Sequence, residues 1–336
     1  MKMSGKETDE RYMRRALQLA ASGAGHVSPN PMVGAVIVAG GRVIGEGYHR
    51  RCGGPHAEVE AVRSVAESDR PLLEGATVYV TLEPCSHYGK TPPCARMLVE
   101  KRVGRVVVGA PDPNPLVAGK GVAMLREAGI EVSEGVLEDE CVEINRRFMT
   151  AFTKSRPWIQ LKWAQTSDGF IGGLDTEGNP VPIRLSNPLT KVLMHRERSM
   201  ADAILVGTNT VISDNPRLTN RLWPGAQPVK VTFASERLPK DAAIFVENPL
   251  LIPEGMELEE ALRWLREEHG VTSLMVEGGA ETLRRFIEKG LFDEVRIERS
   301  TLVAGRGIPA PEFNPRGLRP VRREVWRGNV IEVWRR

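Results

Sequence analysis

One histidine and two cysteines, widely separated along the chain, most constrain how this sequence can fold. His56 opens the run His56-Ala57-Glu58, Cys85 follows Pro84, and Cys94 comes after a further loop-like stretch. An imidazole and two thiolates are typical zinc ligands, and three ligands leave the fourth tetrahedral position open for water. The fold must therefore bring these three side chains to one point. Because structural zinc sites usually have four protein ligands, the vacancy predicts a catalytic metal.

The glutamate of this run, Glu58, lies two positions after the histidine. On a helix this spacing turns its side chain roughly 200° away from that of His56, toward water on the metal rather than the metal itself. We expect Glu58 to take a proton from that water and to deliver it to departing ammonia. This chemistry predicts hydrolytic deamination of a nucleobase-like ring. The alternative is a closed structural site with His87 or His49 as fourth ligand, but such a site needs no adjoining glutamate.

The order of predicted elements indicates two α/β domains. A β-hairpin followed by alternating helices and strands favours a three-layer domain with a mixed sheet in the first half. The polar run Lys154-Ser155-Arg156-Pro157 is typical of a linker, and the strand–helix pattern restarts at Trp158. We therefore predict domains at residues 1–150 and 151–336. Within the second domain, residues 243–246 are predicted to form a strand.

Bulk composition excludes several classes of protein. The chain has 336 residues, and its 46 basic and 43 acidic side chains give a net charge of only +3, which does not favour a protein that coats nucleic acid. Four cysteines in this length do not form a disulfide framework, and no long apolar run or signal peptide is present. We expect a cytoplasmic homo-oligomer that acts on a small molecule and binds neither nucleic acid nor membranes.

Several longer motifs resemble those of one family. They are Asn30-Pro31-Met32-Val33-Gly34, Gly45-Glu46-Gly47-Tyr48-His49, Pro55-His56-Ala57-Glu58, Thr81-Leu82-Glu83-Pro84-Cys85-Ser86-His87, Gly89-Lys90-Thr91-Pro92-Pro93-Cys94 and Asp112-Pro113-Asn114-Pro115. Together they resemble the bifunctional deaminase/reductase of riboflavin biosynthesis. The wider cytidine deaminase-like superfamily commonly has two residues between its cysteines, whereas the eight found here are specific to this branch.

The resemblance implies an α/β protein with an N-terminal three-layer cytidine deaminase-like domain and a C-terminal dihydrofolate reductase-like domain. It implies zinc on His56, Cys85 and Cys94, and a proton shuttle at Glu58. It also implies four substrate contacts in the first half, namely Asn30, His49, His87 and Lys90. The implied reaction is deamination of 2,5-diamino-6-ribosylamino-4(3H)-pyrimidinone 5′-phosphate.

Weaker motifs in the second half resemble the reductase domain of the same family. They are Leu161-Lys162-Trp163-Ala164-Gln165-Thr166-Ser167-Asp168-Gly169, Ala203-Ile204-Leu205-Val206-Gly207 and Val276-Glu277-Gly278-Gly279-Ala280. The implied substrate contacts are Arg198, Leu218, Arg221 and Glu277. The implied NADPH contacts are Ala164, Thr210, Asp214, Ser235, Gly278 and Gly279. NADPH would reduce the ribosyl chain to give 5-amino-6-ribitylaminouracil 5′-phosphate.

Two departures from the family pattern bear on the reductase. Arg184-Leu185-Ser186 stands where the family usually has Trp-Ile-Thr-like residues, and the stretch between residues 233 and 256 is short. One alternative is therefore a monofunctional deaminase with a non-catalytic second domain. Another is an RNA base deaminase whose second half is a recognition module, an idea suggested by the arginine-rich C-terminus. Strand-spaced Val, Trp and Ile among these arginines instead favour a β-ribbon with a solvated basic face.

Overall fold

The computed structural model describes residues 4–87, 92–115 and 117–336. The chain divides into two compact units, Met1–Thr153 and Lys154–Arg336. In the described part of the chain, no helix has the length and apolar character needed to cross a membrane. The α/β class predicted for both halves is confirmed.

The first unit contains one five-stranded sheet and six α-helices in its described residues. The strands are β1 (Gly34–Ala39), β2 (Arg42–Tyr48), β3 (Thr77–Leu82), β4 (Arg105–Ala110) and β5 (Glu131–Ser133). The helices are α1 (Gly5–Ala21), α2 (Ala57–Ser64), α3 (Cys94–Glu100), α4 (Lys120–Glu127), α5 (Glu138–Ile144) and α6 (Arg146–Thr153). The sheet order is β2-β1-β3-β4-β5, in which the hairpin β1–β2 and the pair β1–β3 are antiparallel and β3–β4–β5 are parallel.

Both faces of this sheet are covered, which gives the predicted three layers. Val78 and Val80 pack with α2, α3 and α4 on one face, whereas Tyr79 between them packs with α1 and α5 on the other. This alternation follows from the two-residue period of a strand. Because both faces are buried, the central strands are almost continuously apolar.

Helix α2, which carries Glu58, lies unusually close to strand β2. A Cβ atom at Gly47 would lie 2.3 Å from the backbone nitrogen of Ala61 and 2.5 Å from the carbonyl oxygen of Ala57. Only glycine permits this approach of helix to strand. The two small residues on the helix and the glycine on the strand therefore fix the position of the helix that supplies the acid/base residue.

The second unit contains an eight-stranded sheet and a three-stranded sheet in its described residues. Its strands are β6 (Trp158–Gln165), β7 (Phe170–Leu174), β8 (Pro180–Val181), β9 (Ala203–Leu205), β10 (Val229–Phe233), β11 (Leu250–Ile252), β12 (Ser273–Val276), β13 (Glu294–Arg299), β14 (Ile308–Pro309), β15 (Arg319–Trp326) and β16 (Asn329–Arg335). Its α-helices are α7 (Pro188–Arg198), α8 (Thr208–Asp214), α9 (Leu258–Glu267) and α10 (Ala280–Glu288). The large sheet has the order β11-β10-β9-β12-β6-β13-β16-β15.

Six neighbouring strands of the large sheet, from β11 to β13, run parallel. Their main core includes Leu262 of α9 and Phe286 of α10, which pack against Leu161 and Leu274 of the sheet. The connections after β9, β10 and β12 all leave from one edge of the sheet, since parallel strands end on the same side. Ligands of open α/β sheets bind at such an edge.

One local prediction in the second unit was wrong. Residues 243–246 do not form a strand, because Ala243–Glu247 is a 3-10 helix, and the strand of this region is β11 a few residues later. In the first unit, α5 and α6 are separated at Asn145, whose side chain is hydrogen-bonded to the backbone of Met32. The C-terminal β-ribbon is confirmed as β15 and β16, and Arg319, Arg322 and Arg323 are exposed on it.

Candidate active sites

The structure brings His56, Cys85 and Cys94 together. Their ligand atoms all lie within 4.8 Å of one another. The Nδ1 atom of His56 is 3.5 Å from the Sγ atom of Cys85 and 3.4 Å from that of Cys94. A tetrahedral zinc ion with ordinary Zn–N and Zn–S bonds separates nitrogen from sulfur by about 3.5 Å. The donor set and its spacing therefore fit zinc.

Strand and helix ends position these three ligands. His56 is the N-cap of α2, Cys85 follows the end of β3, and Cys94 is the first residue of α3. The backbone N–H of Cys94 donates to the sulfur of Cys85 at 3.3 Å, and that of Ala95 donates to the Cys85 carbonyl at 3.1 Å. Two contacts thus hold the loop that carries Cys85 against the positive end of α3.

Hydrogen bonds within this cluster shift the pKa values of its thiol and imidazole groups. Hydrogen bonds from Cys94 and then from His56 lower the pKa of Cys85, so that its thiolate is favoured. The hydrogen bond with Cys85 raises the pKa of His56 to about 9. Since metal ligation needs a thiolate and a neutral imidazole, a cation bound here would displace the proton shared between these atoms.

Glu58 lies beside the metal ligands and is almost inaccessible to solvent. Its exposed fraction is 3%, and burial raises the pKa of its carboxyl group to about 7. The carboxyl group is also hydrogen-bonded to the thiol of Cys94. A carboxyl group with a pKa near neutrality can both accept and deliver a proton, which is what an acid/base catalyst requires.

Two predicted substrate contacts of the first unit bind each other. The Nδ2 atom of Asn30 lies 3.1 Å from Nε2 of His49, and Nδ1 of His49 lies 2.9 Å from the carbonyl oxygen of Pro55. Both ring nitrogens of His49 are therefore occupied, and His49 is not a fourth metal ligand. His87 is exposed and does not belong to the metal cluster among the described residues, and Lys90 lies outside them. The closed structural zinc site is not formed in the described part of the chain.

Glu83 is a buried residue of this site that the sequence analysis missed. Its carboxylate accepts backbone N–H groups of Gly119, Gly121 and Val122 at 2.9, 2.9 and 3.2 Å. These donors belong to the start of α4, where a negative charge is stabilised. The loop just before Cys85 is thereby anchored to α4. No local signal marks this role, because the donors lie far along the chain.

The second unit has two adjoining cavities at the edge where its parallel strands end. The smaller, of about 330 Å³, is lined by Lys162, Ala164, Glu277 and Gly278 among others. The larger, of about 830 Å³, is lined by Ser235, Arg237 and Arg285 among others. The cavities share the lining residues Ile171, Thr210, Asp214 and Gly279. The six residues predicted to bind NADPH thus all line one cavity or the other.

The floor of the smaller cavity is a buried ion cluster. Arg198 forms a bidentate ion pair with Glu277, with Nε–Oε1 and Nη2–Oε2 distances of 2.7 Å each. The Nζ atom of Lys162 lies 3.8 Å from Oε2 of Glu277. Burial would raise the pKa of Glu277, but the charges of Arg198 and Lys162 lower it to about 2. Burial lowers the pKa of Lys162. Lys162 could have been identified from the sequence, because it is a lysine within a strand that is otherwise mostly buried, but the sequence analysis did not use this signal.

The other predicted substrate contacts of this unit have different surroundings. The third guanidinium nitrogen of Arg198 donates to the Thr219 carbonyl at 2.9 Å, so this side chain is occupied by protein acceptors. Leu218 is buried in a small apolar cluster, and Arg221 is exposed and bonds Thr219. Neither of these two residues lines either cavity. Their roles toward the substrate stay predictions.

The segment that departs from the family pattern also contributes to the smaller cavity. Arg184, Leu185 and Ser186 all line it. Ser186 donates a 2.9 Å hydrogen bond to Glu298, and Leu185 is buried. The segment is therefore packed into the fold, and Arg184 lines the same cavity as Lys162 and Glu277.

Each half of the chain matches a known family. Residues 6–110 match the cytidine and deoxycytidylate deaminase zinc-binding region, and residues 157–318 match the RibD C-terminal domain. The riboflavin biosynthesis protein RibD of Aquifex aeolicus is 40% identical, over 93% of this chain and 92% of that protein. This chain belongs to the RibD family.

Other RibD relatives extend over the same length. The Escherichia coli riboflavin biosynthesis protein RibD is 34% identical, over 94% of this chain and 98% of its own. A crystal structure from Thermotoga maritima, described as a diaminohydroxyphosphoribosylaminopyrimidine deaminase/5-amino-6-(5-phosphoribosylamino)uracil reductase, has a TM-score of 0.85 and 37% identity over 99% of both chains. An Acinetobacter baumannii RibD structure has a TM-score of 0.87 at 33% identity over 98% of this chain and 99% of its own. RibD proteins contain a zinc-dependent deaminase and an NADPH-dependent reductase.

The larger cavity has the features that a dinucleotide requires. Gly279 is the N-cap of α10 and has no side chain to cap the first turn, and its own backbone N–H donates to Oγ1 of Thr210 at 2.9 Å. Among the described residues, no side chain is recorded as accepting from the first-turn N–H groups of Ala280 to Thr282, and the helix dipole favours a pyrophosphate there. Glycine is needed at position 278 for a different reason, namely packing, because a Cβ atom there would lie only 2.7 Å from Cβ of Thr282. The residues present thus fit NADPH.

Proposed function

We propose that this chain catalyses two successive steps of riboflavin biosynthesis, one in each unit. Residues 1–150 deaminate 2,5-diamino-6-ribosylamino-4(3H)-pyrimidinone 5′-phosphate, and residues 151–336 reduce the ribosyl chain of the product with NADPH. The observation that carries the proposal is the open cluster of His56, Cys85 and Cys94 with the buried carboxyl group of Glu58 beside it. The match of the second half to the RibD C-terminal domain supports the reductase step.

In the deaminase, His56, Cys85 and Cys94 would hold zinc. When bound, zinc would make water nucleophilic at neutral pH. Glu58 accepts the proton of the attacking water on its carboxylate and then delivers it to the departing amino group. Burial, which raises the pKa of this carboxyl group, favours the uptake of the proton. Asn30, held by its hydrogen bond with His49, orients the edge of the pyrimidinone ring.

In the reductase, Thr210, Asp214, Ser235 and Gly279 would bind NADPH, which supplies the hydride when bound. The sugar would bind in the smaller cavity, which Glu277 lines. As the open-chain imine gains a hydride on carbon, its nitrogen gains a proton. Lys162 holds that proton at Nζ, and burial favours its release by lowering the pKa of the ammonium group. Glu277, fixed by Arg198, keeps Lys162 in position.

A pair of variants on α2 tests the assignment of the two steps. Glu58→Gln keeps the shape of the side chain but removes its proton-transfer function. We expect this variant to retain zinc by elemental analysis, to lose ammonia release by about 100- to 10,000-fold, and still to oxidise NADPH when given the deaminated intermediate. Glu60→Gln is the control, because Glu60 lies on the same helix and forms ion pairs with the exposed Arg50 and Arg63. Full ammonia release by the Glu58 variant would contradict the proposal.

Two further expectations belong to the same proposal. The zinc site needs reduced thiols at Cys85 and Cys94, which favours a cytoplasmic location. A homo-oligomer stays a prediction, which light scattering of the purified protein would check.

A further inference from the structure

A short irregular segment forms one wall of the smaller cavity. Arg184, Leu185 and Ser186 all line this cavity, and residues 182–187 belong to neither a helix nor a strand. A segment without regular secondary structure needs other partners for its backbone polar groups. The position of this wall, and with it the shape of the cavity, therefore depends on the side chains that bond to the segment.

Two asparagines join this segment to the C-terminal ribbon of β15 and β16. The Nδ2 atom of Asn329, at the start of β16, donates to the carbonyl oxygen of Leu185 at 3.0 Å. The Nδ2 atom of Asn187 donates in return to the carbonyl oxygen of Trp326, at the end of β15, at 2.7 Å. Each asparagine thus bonds the backbone of the other element. We call this reciprocal pair, Asn187 and Asn329, the asparagine clamp.

The ribbon side of the clamp is held by a tight turn. Trp326 pairs with Asn329 across two residues, 327 and 328, whose φ angles of 48° and 87° are both positive. Positive φ at both positions is typical of the hairpin turn that matches the twist of antiparallel strands, and glycine is favoured at the second position, as found here. The turn keeps the carbonyl group of Trp326 and the amide group of Asn329 next to each other.

A buried carboxylate joins the clamp to the large sheet. Glu298 of β13 is fully buried, and it accepts hydrogen bonds from Nδ2 of Asn329 at 2.7 Å and from Oγ of Ser186 at 2.9 Å. Asn329 is itself only 4% exposed, and both N–H groups of its amide are used. Hydrogen bonds to a charged acceptor are stronger than those between neutral groups. The cavity wall and the ribbon therefore share one strong anchor on β13.

The clamp also sets the start of α7. The Oδ1 atom of Asn187 accepts the backbone N–H groups of Leu189 and Thr190 at 3.0 and 3.1 Å, which makes Asn187 the N-cap of this helix. Lys191 and Met194 of α7 line the smaller cavity. One side chain therefore connects the ribbon to both the wall segment and a helix that lines the same cavity.

We propose that Asn187 and Asn329 are positioning residues of the reductase, which hold residues 184–186 where the open-chain sugar requires them. The ribbon lines neither cavity, so it acts on the substrate through this segment alone. The residues of the segment line the smaller cavity and not the larger one, so the clamp serves the sugar more than the dinucleotide. The inference rests on the proposed reductase function.

Steady-state kinetics of the full-length protein, with the deaminated intermediate and NADPH, test the clamp. Asn329→Ala removes both donors of the amide. Asn187→Ser keeps an oxygen that caps α7 but loses the donor to Trp326, so it tests the clamp even if Asn329→Ala fails to fold. We expect each variant to raise the KM for the deaminated intermediate by about tenfold, with a smaller change in the KM for NADPH. Partial unfolding would instead lower the apparent kcat and leave both KM values unchanged.

Asp202→Ala is the matched control for a loss of stability alone. Asp202 accepts the backbone N–H groups of Thr272 and Ser273 at 2.9 Å each, at the edge where β9 and β12 begin, opposite to the cavities. This variant should unfold at lower urea concentration and keep the wild-type KM values.

Two outcomes separate this inference from the function on which it rests. An unchanged KM for the intermediate in Asn187→Ser would overturn the positioning role and leave the reductase function intact. A wild-type protein that oxidises no NADPH when given the deaminated intermediate would overturn the reductase function, and the inference with it.

Discussion

Arg198 and Glu277 form a two-pronged ion pair beneath the smaller cavity, with two N–O distances of 2.7 Å. Arg198 lies at the end of α7 and Glu277 just after β12, so the pair joins a helix to the sheet edge where the proposed cofactor binds. Both side chains are less than one-tenth exposed. The pair therefore combines a role in stability with a role in shaping the site.

Replacing one partner of this ion pair should destabilise the second unit more than replacing both partners together. Arg198→Met or Glu277→Leu leaves an uncompensated buried charge, which costs about 3–5 kcal/mol of unfolding free energy. The double variant should lose clearly less than the sum of the two. All six tryptophans lie in the second unit, so tryptophan fluorescence during urea unfolding reports this unit selectively. Additive losses would show that the two charges do not depend on each other.

The same pair should make the second unit sensitive to acid. The pKa of Glu277 falls from 4.5 to about 2 in the folded protein, so its contribution to stability is complete above about pH 4.5 and is lost as the pH falls toward 2. The difference in unfolding free energy between the wild type and Glu277→Gln should therefore shrink over this interval. Denaturant titrations at several pH values measure the difference. A difference that stays constant down to pH 2 would contradict the assigned pKa.

Removing one sulfur should abolish metal binding. Cys94→Ala leaves two protein ligands, and we expect bound zinc to fall from about one per chain to nearly none, with ammonia release falling in parallel. Elemental analysis after gel filtration measures the zinc. Cys52→Ala is the control, because Cys52 is exposed and lies outside the ligand cluster. Zinc retained by the Cys94 variant would exclude the proposed ligand set.

The anchoring of Cys85 through Glu83 gives a separate prediction. Glu83→Ala leaves three backbone N–H groups without their acceptor, which should cost about 1–3 kcal/mol of unfolding free energy. The variant should also lose zinc at lower chelator concentrations than the wild type. All four tyrosines lie in the first unit, so near-ultraviolet circular dichroism of tyrosine follows its unfolding. Glu127→Ala, at the exposed far end of α4, should change neither quantity.

The metal cluster could be predicted because its signal is the chemistry of the residue types themselves. Few arrangements other than a zinc site place one imidazole and two thiols beside an acid/base carboxylate. The layers of the first unit were also predictable, since apolar strands and amphipathic helices alternate along it. The match of residues 157–318 to the RibD C-terminal domain counts against an RNA-recognition module in the second half.

Other parts depend on contacts between distant residues, which no sequence pattern records. The acceptor role of Glu83 requires α4 to start beside it, and the occupied guanidinium of Arg198 requires Glu277 to face α7. Residues 243–246, which are apolar, were predicted to form a strand. Tertiary packing of Ile244 against the small apolar cluster around Val206 instead produces a 3-10 helix.

The most direct test of the account is one assay that follows ammonia and NADPH together on the diaminopyrimidinone ribosyl phosphate. The two proposed sites should act in succession, so the purified wild-type protein should oxidise one NADPH for each ammonia released once the intermediate has reached steady state. Ammonia release without any NADPH oxidation would contradict the reductase step and leave the second unit without its proposed activity. NADPH oxidation without ammonia release would contradict the order of the steps.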